Sequence, residues 1–148
     1  LFQFKKWTGK FQRILGIPSE NLESREYIKR IIGLPGETIR IDDQSQIILT
    51  NNQYPEGVFL PENYINPPTK GSLEITLSEN EYFVLGDNRP NSSDSRGATL
   101  NGKNTNPHIV PRSSIEGKVF VRLWPLGNIG LINKPEYNFI PLATANEQ

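Results

Sequence analysis

The chain has no cysteine, no methionine and only one histidine in 148 residues. Without cysteine there is no disulfide, no thiolate metal site and no cysteine nucleophile. The compartment stays open, because oxidising compartments also hold cysteine-free proteins. A zinc site would draw most of its ligands from carboxylates, and no HExxH-type spacing occurs. A Ser-His-Asp triad would have to run through His108, which sits in the polar stretch Asn104-Thr105-Asn106-Pro107-His108 and reads as a solvated loop residue. No residue pattern implies a metal or another cofactor. No run of about 18 apolar residues is present, and no signal-peptide pattern either. Neither sign of charge is in excess, with 16 basic and 16 acidic residues. Nothing in that balance argues for nucleic acid, where a basic stripe is expected.

What is present is turn chemistry. Twelve Gly and 12 Pro punctuate a chain that is 35% hydrophobic, which suits a β-rich single domain over residues 1–148. Leu1 to Phe4, Glu26 to Ile32, Thr38 to Ile41, Gln46 to Thr50, Ser72 to Leu77, Glu81 to Leu85 and Ile115 to Trp124 read as strands. In the last of these, Val119, Val121 and Leu123 share a face. Leu34-Pro35-Gly36-Glu37 predicts a type II turn, and Asp42 to Ser45 a hairpin. Lys5 to Arg25 reads as loop with room for a short helix. There, Lys5, Lys6 and Lys10 beside Trp7 and Phe11 form a solvated face or a contact for lipid headgroups. Gly97 to Pro111 reads as a polar loop or hairpin, and residues 143–148 as a frayed tail. The expected architecture is mainly β, a coiled antiparallel sheet or partly closed barrel.

Two segments carry chemistry. The first is Tyr27-Ile28-Lys29-Arg30-Ile31-Ile32-Gly33-Leu34-Pro35-Gly36-Glu37. Adjacent cations on a strand point to opposite faces. If the Lys29 face is buried, desolvation lowers the amine's pKa and makes it a usable general base. Arg30 stays charged and needs a carboxylate. Taken alone, a solvated strand lysine is the simpler reading. The second segment is Gly86-Asp87-Asn88-Arg89-Pro90-Asn91-Ser92-Ser93-Asp94-Ser95-Arg96. Its dense, mutually compatible donors and acceptors form either a solvated Asx-type turn or an ordered network.

Together these strings resemble boxes of the type I signal peptidases (peptidase family S26, the bacterial and organellar leader peptidases). Lys29 to Glu37 is similar to the lysine box, and Gly86 to Arg96 to the last box. Val110-Pro111-Arg112, Ile115 to Val119 and Trp124-Pro125-Leu126 are similar to the family's sequence after that last box. The series covers roughly residues 26 to 130 in the family's order, with a longer polar loop inserted at residues 97–109 where the resemblance implies a short link. The resemblance implies a serine endopeptidase with a Ser-Lys dyad that removes signal peptides from exported preproteins. On matched positions, Lys29 would be the general base and Ser92 would hydrogen-bond its amine. Asp87 would pair with Arg30 and Asp94 with Arg96, keeping carboxylate charge away from Lys29. Asn88, Arg89 and Ser95 would shape the loop. Substrates would carry small residues before the scissile bond, the A-x-A pattern. The parent protein would be anchored in a membrane through a missing N-terminal segment, with the catalytic domain on the outer or lumenal side.

The match breaks at the nucleophile. The family carries it in a Ser-Met-x-Pro-Thr-like box before the lysine box, and the chain has neither that box nor any methionine. Ser19 and Ser24 have the wrong flanks and are rejected. Leu1-Phe2-Gln3-Phe4 resembles the strand that comes after the serine box, so the chain reads as an N-terminally incomplete, inactive piece whose serine lies upstream of Leu1. The alternative is a non-catalytic relative, a peptide-binding or scaffold module that lost its nucleophile. Retention of Lys29 and Ser92 argues against it. The self-cleaving repressor proteases share the Ser-Lys mechanism, but not the Gly-Leu-Pro-Gly turn or the Gly-Asp-Asn-Arg loop.

Overall fold

The structure is a computed structural model that describes residues 2–4, 27–100, 103–105, 107–132 and 139–142. The expectations for Ser19, Ser24 and the Lys5–Phe11 region, and for the 143–148 tail, lie outside those residues.

The fold is mainly β, and every strand pairing is antiparallel. Fourteen strands run in chain order among the described residues. They are β1 (Phe2–Phe4), β2 (Tyr27–Gly33), β3 (Thr38–Ile41), β4 (Ile47–Thr50), β5 (Val58–Leu60), β6 (Leu73–Thr76), β7 (Glu81–Leu85), β8 (Ala98–Leu100), β9 (Lys103–Thr105), β10 (Val110–Pro111), β11 (Ile115–Lys118), β12 (Val121–Arg122), β13 (Gly130–Leu131) and β14 (Ile140–Pro141). One five-stranded sheet has the order β10-β7-β2-β1-β11, and the other β14-β5-β4-β3-β6. The pairs β12-β13 and β8-β9 stand as two-stranded ribbons.

The turns reflect the local chemistry. Gly36 has φ +81°, and Glu37 N–H donates to Leu34 O at 3.1 Å, as the third position of a type II turn requires. The β3–β4 hairpin closes through Asp42, whose Oδ1 accepts from the N–H groups of Gln44 and Gln46. The β6 face alternates as expected, and Leu77 just beyond it is buried.

The core is aliphatic. Ile32, Ile39, Ile41, Ile47, Leu49, Val58, Leu60, Leu77, Phe83 and Leu85 form one cluster drawn from both large sheets. Burial along β2 rises from its first residue to its last instead of alternating. The Tyr27 end is open, whereas Ile32 belongs to the shared core. Lys29 and Arg30 therefore lie midway, both partly buried.

The structure corrects the expectation of one strand from Ile115 to Trp124. The segment changes partner at Val119–Phe120: β11 pairs with β1, and β12 pairs with β13 in a separate ribbon. Leu123 and Trp124 lie beyond the ribbon and are exposed. Strand β5 is an addition to the sequence expectation. It is three residues long and comes after turn residues Tyr54 to Gly57, so it offers too short a pattern to read. The 97–109 segment contains the β8–β9 hairpin.

Candidate active site

Two adjacent strands set the site. Lys29 lies on β2 opposite Phe2 of β1, and Arg30 lies opposite Leu85 of β7. Beyond Leu85 the chain leaves the sheet and folds back on itself. Ser95 N–H donates to Val84 O at 3.0 Å, while Val84 N–H donates to Ser95 Oγ at 2.9 Å. This reciprocal pair fastens the end of the loop to the strand that began it, and Ser95 is fully buried. Asn88 precedes a 3-10 turn over Arg89–Asn91, closed by Asn91 N–H on Asn88 O.

The fold-back brings Ser92 to Lys29. Lys29 Nζ and Ser92 Oγ are 2.6 Å apart in a part-buried setting. Gly86 is what makes room for this pair. A Cβ at position 86 would overlap the Ser92 hydroxyl and lie 3.1 Å from Lys29 Nζ. The ring of Tyr27 lies 5.5 Å from the amine.

Two arginine–carboxylate pairs tie down the strand and the loop that carry the amine and Ser92. Arg30 reaches Asp87 through two bonds, Nε to Oδ1 at 3.0 Å and Nη2 to Oδ2 at 2.8 Å. The Tyr64 ring covers the same guanidinium at 4.4 Å. Arg96 grips Asp94 through Nε to Oδ1 at 2.8 Å and Nη2 to Oδ2 at 2.9 Å. It also donates to the carbonyl of Arg89 at 2.6 Å. Asp94 further accepts the Gly86 N–H at 3.1 Å. Such two-point bonds fix geometry as well as charge.

These neighbours set the direction in which the Lys29 amine is shifted. Burial lowers the Lys29 pKa from the usual lysine range; the Asp94 carboxylate pulls it back up, and the Arg96 guanidinium presses it down again. Burial alone would push Asp94 up. The Arg96 hydrogen bonds and charge, the Gly86 N–H and a hydrogen bond from Ser92 outweigh it and hold the carboxyl below its usual range. Asp94 thus stays charged and is felt at Lys29, so Arg96 reduces the carboxylate's effect without removing it. The net direction is an amine that gives up its proton more readily than an ordinary lysine.

Two residues of this network escape a reading of the sequence. Glu62, just after β5, receives Arg89 Nη1 at 2.5 Å and Nη2 at 2.6 Å. Thr69 bonds both Arg89 and Glu62. Neither position carries a local signal: the loop reads only as Pro-rich and polar, and Arg89 lies 27 residues beyond Glu62 in sequence. A buried Arg89 demands a carboxylate, and that demand is the one available clue. Among the described residues, no group of three or more His, Cys, Asp or Glu could hold a metal ion.

The family model described as signal peptidase, peptidase S26, matches residues 4–124. The chain belongs to the signal peptidase family. It is 37% identical over 120 residues to a probable signal peptidase I-2 of Synechocystis sp., covering 78% of this chain and 48% of that protein. It is 36% identical over 110 residues to a signal peptidase I of Leptolyngbya laminosa, covering 74% and 46%. A crystal structure of a signal peptidase I from Enterococcus faecalis aligns with 32% identity and a TM-score of 0.46, covering 64% of this chain and 83% of that one. The chain spans about half the length of the curated relatives it matches. No helix among the described residues is long and apolar enough to cross a membrane.

Proposed function

We propose that Lys29 is the general base of a serine endopeptidase that removes signal peptides, and that the nucleophilic serine comes from a segment outside these 148 residues. The observation that carries the reading is the Lys29–Ser92 contact at 2.6 Å, together with a lysine pKa lowered first of all by burial. In the reaction, the serine hydroxyl gives its proton to Lys29 Nζ as its oxygen bonds the scissile carbonyl carbon. The resulting ammonium returns a proton to the departing amine, leaving an acyl-enzyme that water then hydrolyses. Ser92 orients the amine throughout. Asp87, Asn88, Arg89, Asp94, Ser95, Arg96 and Arg30 hold the loop that presents Ser92. Substrates are extended preprotein segments with small residues before the cleavage site. They add as a strand beside the groove. The whole protein is held at a membrane with this domain on the outer or lumenal face.

The test uses a preprotein with an A-x-A site. The chain alone is expected to leave it uncut. Joined to a serine-bearing segment from a relative, the chain is expected to cut after the small residues, and Lys29→Met in that protein is expected to abolish cleavage. Cleavage by the chain alone, or undiminished cleavage by the Lys29→Met protein, overturns the proposal.

A further inference from the structure

We propose that Glu62 is a positioning residue for the Lys29 amine, acting through Arg89. The inference deepens the reading above and rests on it. Glu62 stands just past the end of β5, in the sheet that does not contain Lys29. Its carboxylate holds the Arg89 guanidinium by both oxygens, at 2.5 and 2.6 Å. Arg89 is 2% exposed and Thr69 0%. Thr69 donates to Glu62 Oε2 at 2.8 Å and also receives Arg89, so the guanidinium is tied at its outer end by two side chains of one loop.

The inner end of Arg89 reaches the site. Its Nε donates to Gly86 O at 3.0 Å, and its own carbonyl receives Arg96 Nη2 at 2.6 Å. Gly86 is the residue whose backbone lies against both Ser92 and Lys29 Nζ. Arg96 is the cation that competes with Asp94 for influence over the amine. A path of direct contacts therefore runs from Glu62 through Arg89 to Gly86, and from there to the Lys29–Ser92 pair. The same loop sends Tyr64 over Arg30, the residue next to Lys29 in β2. One loop thus contacts both Arg89, which reaches the site through Gly86, and Arg30, the sequence neighbour of Lys29 on the other face of β2. If the Glu62–Arg89 brace shortens, the Gly86–Ser92 wall recedes and water reaches Nζ, which restores the charged form.

The test keeps formal charge constant, because an unpaired Arg89 would itself depress the amine. Glu62→Asp shortens the brace by one methylene, and Thr69→Val deletes its hydroxyl while conserving shape. Lys29 titration is followed by lysine-selective NMR in the 148-residue chain, with thermal melts alongside. Both variants are expected to move the Lys29 midpoint upward, toward the ordinary lysine range, with the smaller effect in Thr69→Val. In the serine-bearing longer protein, Glu62→Asp is expected to lower kcat roughly 10–100-fold at unchanged KM, the scale of a sub-ångström to 1 Å misplacement. A midpoint that stays put in both folded variants overturns the proposal, even if their melting temperatures fall, since that is the behaviour of a purely structural pair. If Glu62→Asp does not fold, Thr69→Val decides alone. Loss of folding in both also overturns it. Because the midpoint is read without any cleavage, absence of peptidase activity would count against the proposed function, whereas an unmoved midpoint would count against the positioning role of Glu62.

Discussion

Gly86→Ala places one methyl group at the tightest point of the site. The new Cβ would overlap the Ser92 hydroxyl and lie 2.7 Å from Ser92 Cβ, where ordinary contact begins at 3.4 Å. Rotation of the Ser92 side chain relieves the first clash but breaks its 2.6 Å bond to Lys29. The second clash needs a backbone shift. Forcing an extra methyl into a packed site costs about 1–3 kcal/mol, and the lost hydrogen bond about 0.5–1.5 kcal/mol. Gly86 has no left-handed φ to preserve, so alanine also gains about 0.4–1 kcal/mol by restricting the unfolded chain. Overpacking wins, with a net loss of roughly 0.5–4 kcal/mol from those three contributions. At about 3 °C per kcal/mol for a chain of this size, the melting temperature should drop by roughly 1.5–12 °C. Differential scanning calorimetry measures the drop, and lysine NMR reads the amine in the same sample. A Gly86→Ala chain that melts with the wild type and keeps the Lys29 midpoint would refute the packing argument.

Lys29→Met should stabilise the chain at neutral pH, because it removes an amine that burial disfavours in its charged form. Between the lowered Lys29 pKa and the ordinary value of about 10.4, the unfolded chain binds more protons than the folded one. Wild-type stability should therefore climb with pH across that window, and the advantage of Lys29→Met should shrink, as urea melts at stepped pH will record. Asp94→Asn removes the buried carboxylate that Arg96 grips through two bonds and should cost about 3–5 kcal/mol. Asp94 is held below its usual range, so its contribution is complete above about pH 4 and fades as pH falls through the lowered pKa. Denaturant melts should show that acid limb in the wild type and not in Asp94→Asn, and the Lys29 midpoint should move further down in the variant. Phe83→Ala empties a site with 0% exposure in the shared core and should cost about 3–5 kcal/mol by chemical denaturation, with no specific effect on Lys29.

Much of the fold is legible in the sequence because local chemistry decides it. The Leu34–Glu37 and Asp42–Ser45 turns are written in Pro, Gly and Asp, and the β6 alternation is written in Leu73, Ile75 and Leu77. The break between β11 and β12 is not legible. Ile115 to Trp124 has a continuous strand pattern, and what divides it is a change of partner from β1 to β13, which no local propensity encodes. The Lys29 environment is legible only in part. Alternation predicts which face a side chain takes, yet burial along β2 tracks distance from the shared core, so Lys29 and Arg30 end up similarly half-buried on opposite faces. Glu62 and Thr69 are invisible in the sequence because a buried guanidinium specifies the type of its partner and not its address.

The electrostatics of the site turn on a difference between its two acidic residues. Asp87 lies in an ion pair whose carboxylate side chain is 42% exposed. Solvent and Arg30 together screen it. Asp94 has a side chain only 1% exposed and is linked to Lys29 through Ser92, which bonds both. A buried anion one hydroxyl away should hold a proton on the lysine, which is the opposite of what a base needs. The Arg96 fork and the Gly86 N–H take up that carboxylate's oxygens, and the Arg96 charge acts on the amine in the contrary sense. Desolvation then remains the largest influence, and its sign prevails. The arrangement keeps Asp94 as a structural anchor for the loop while limiting how strongly its charge protonates Lys29.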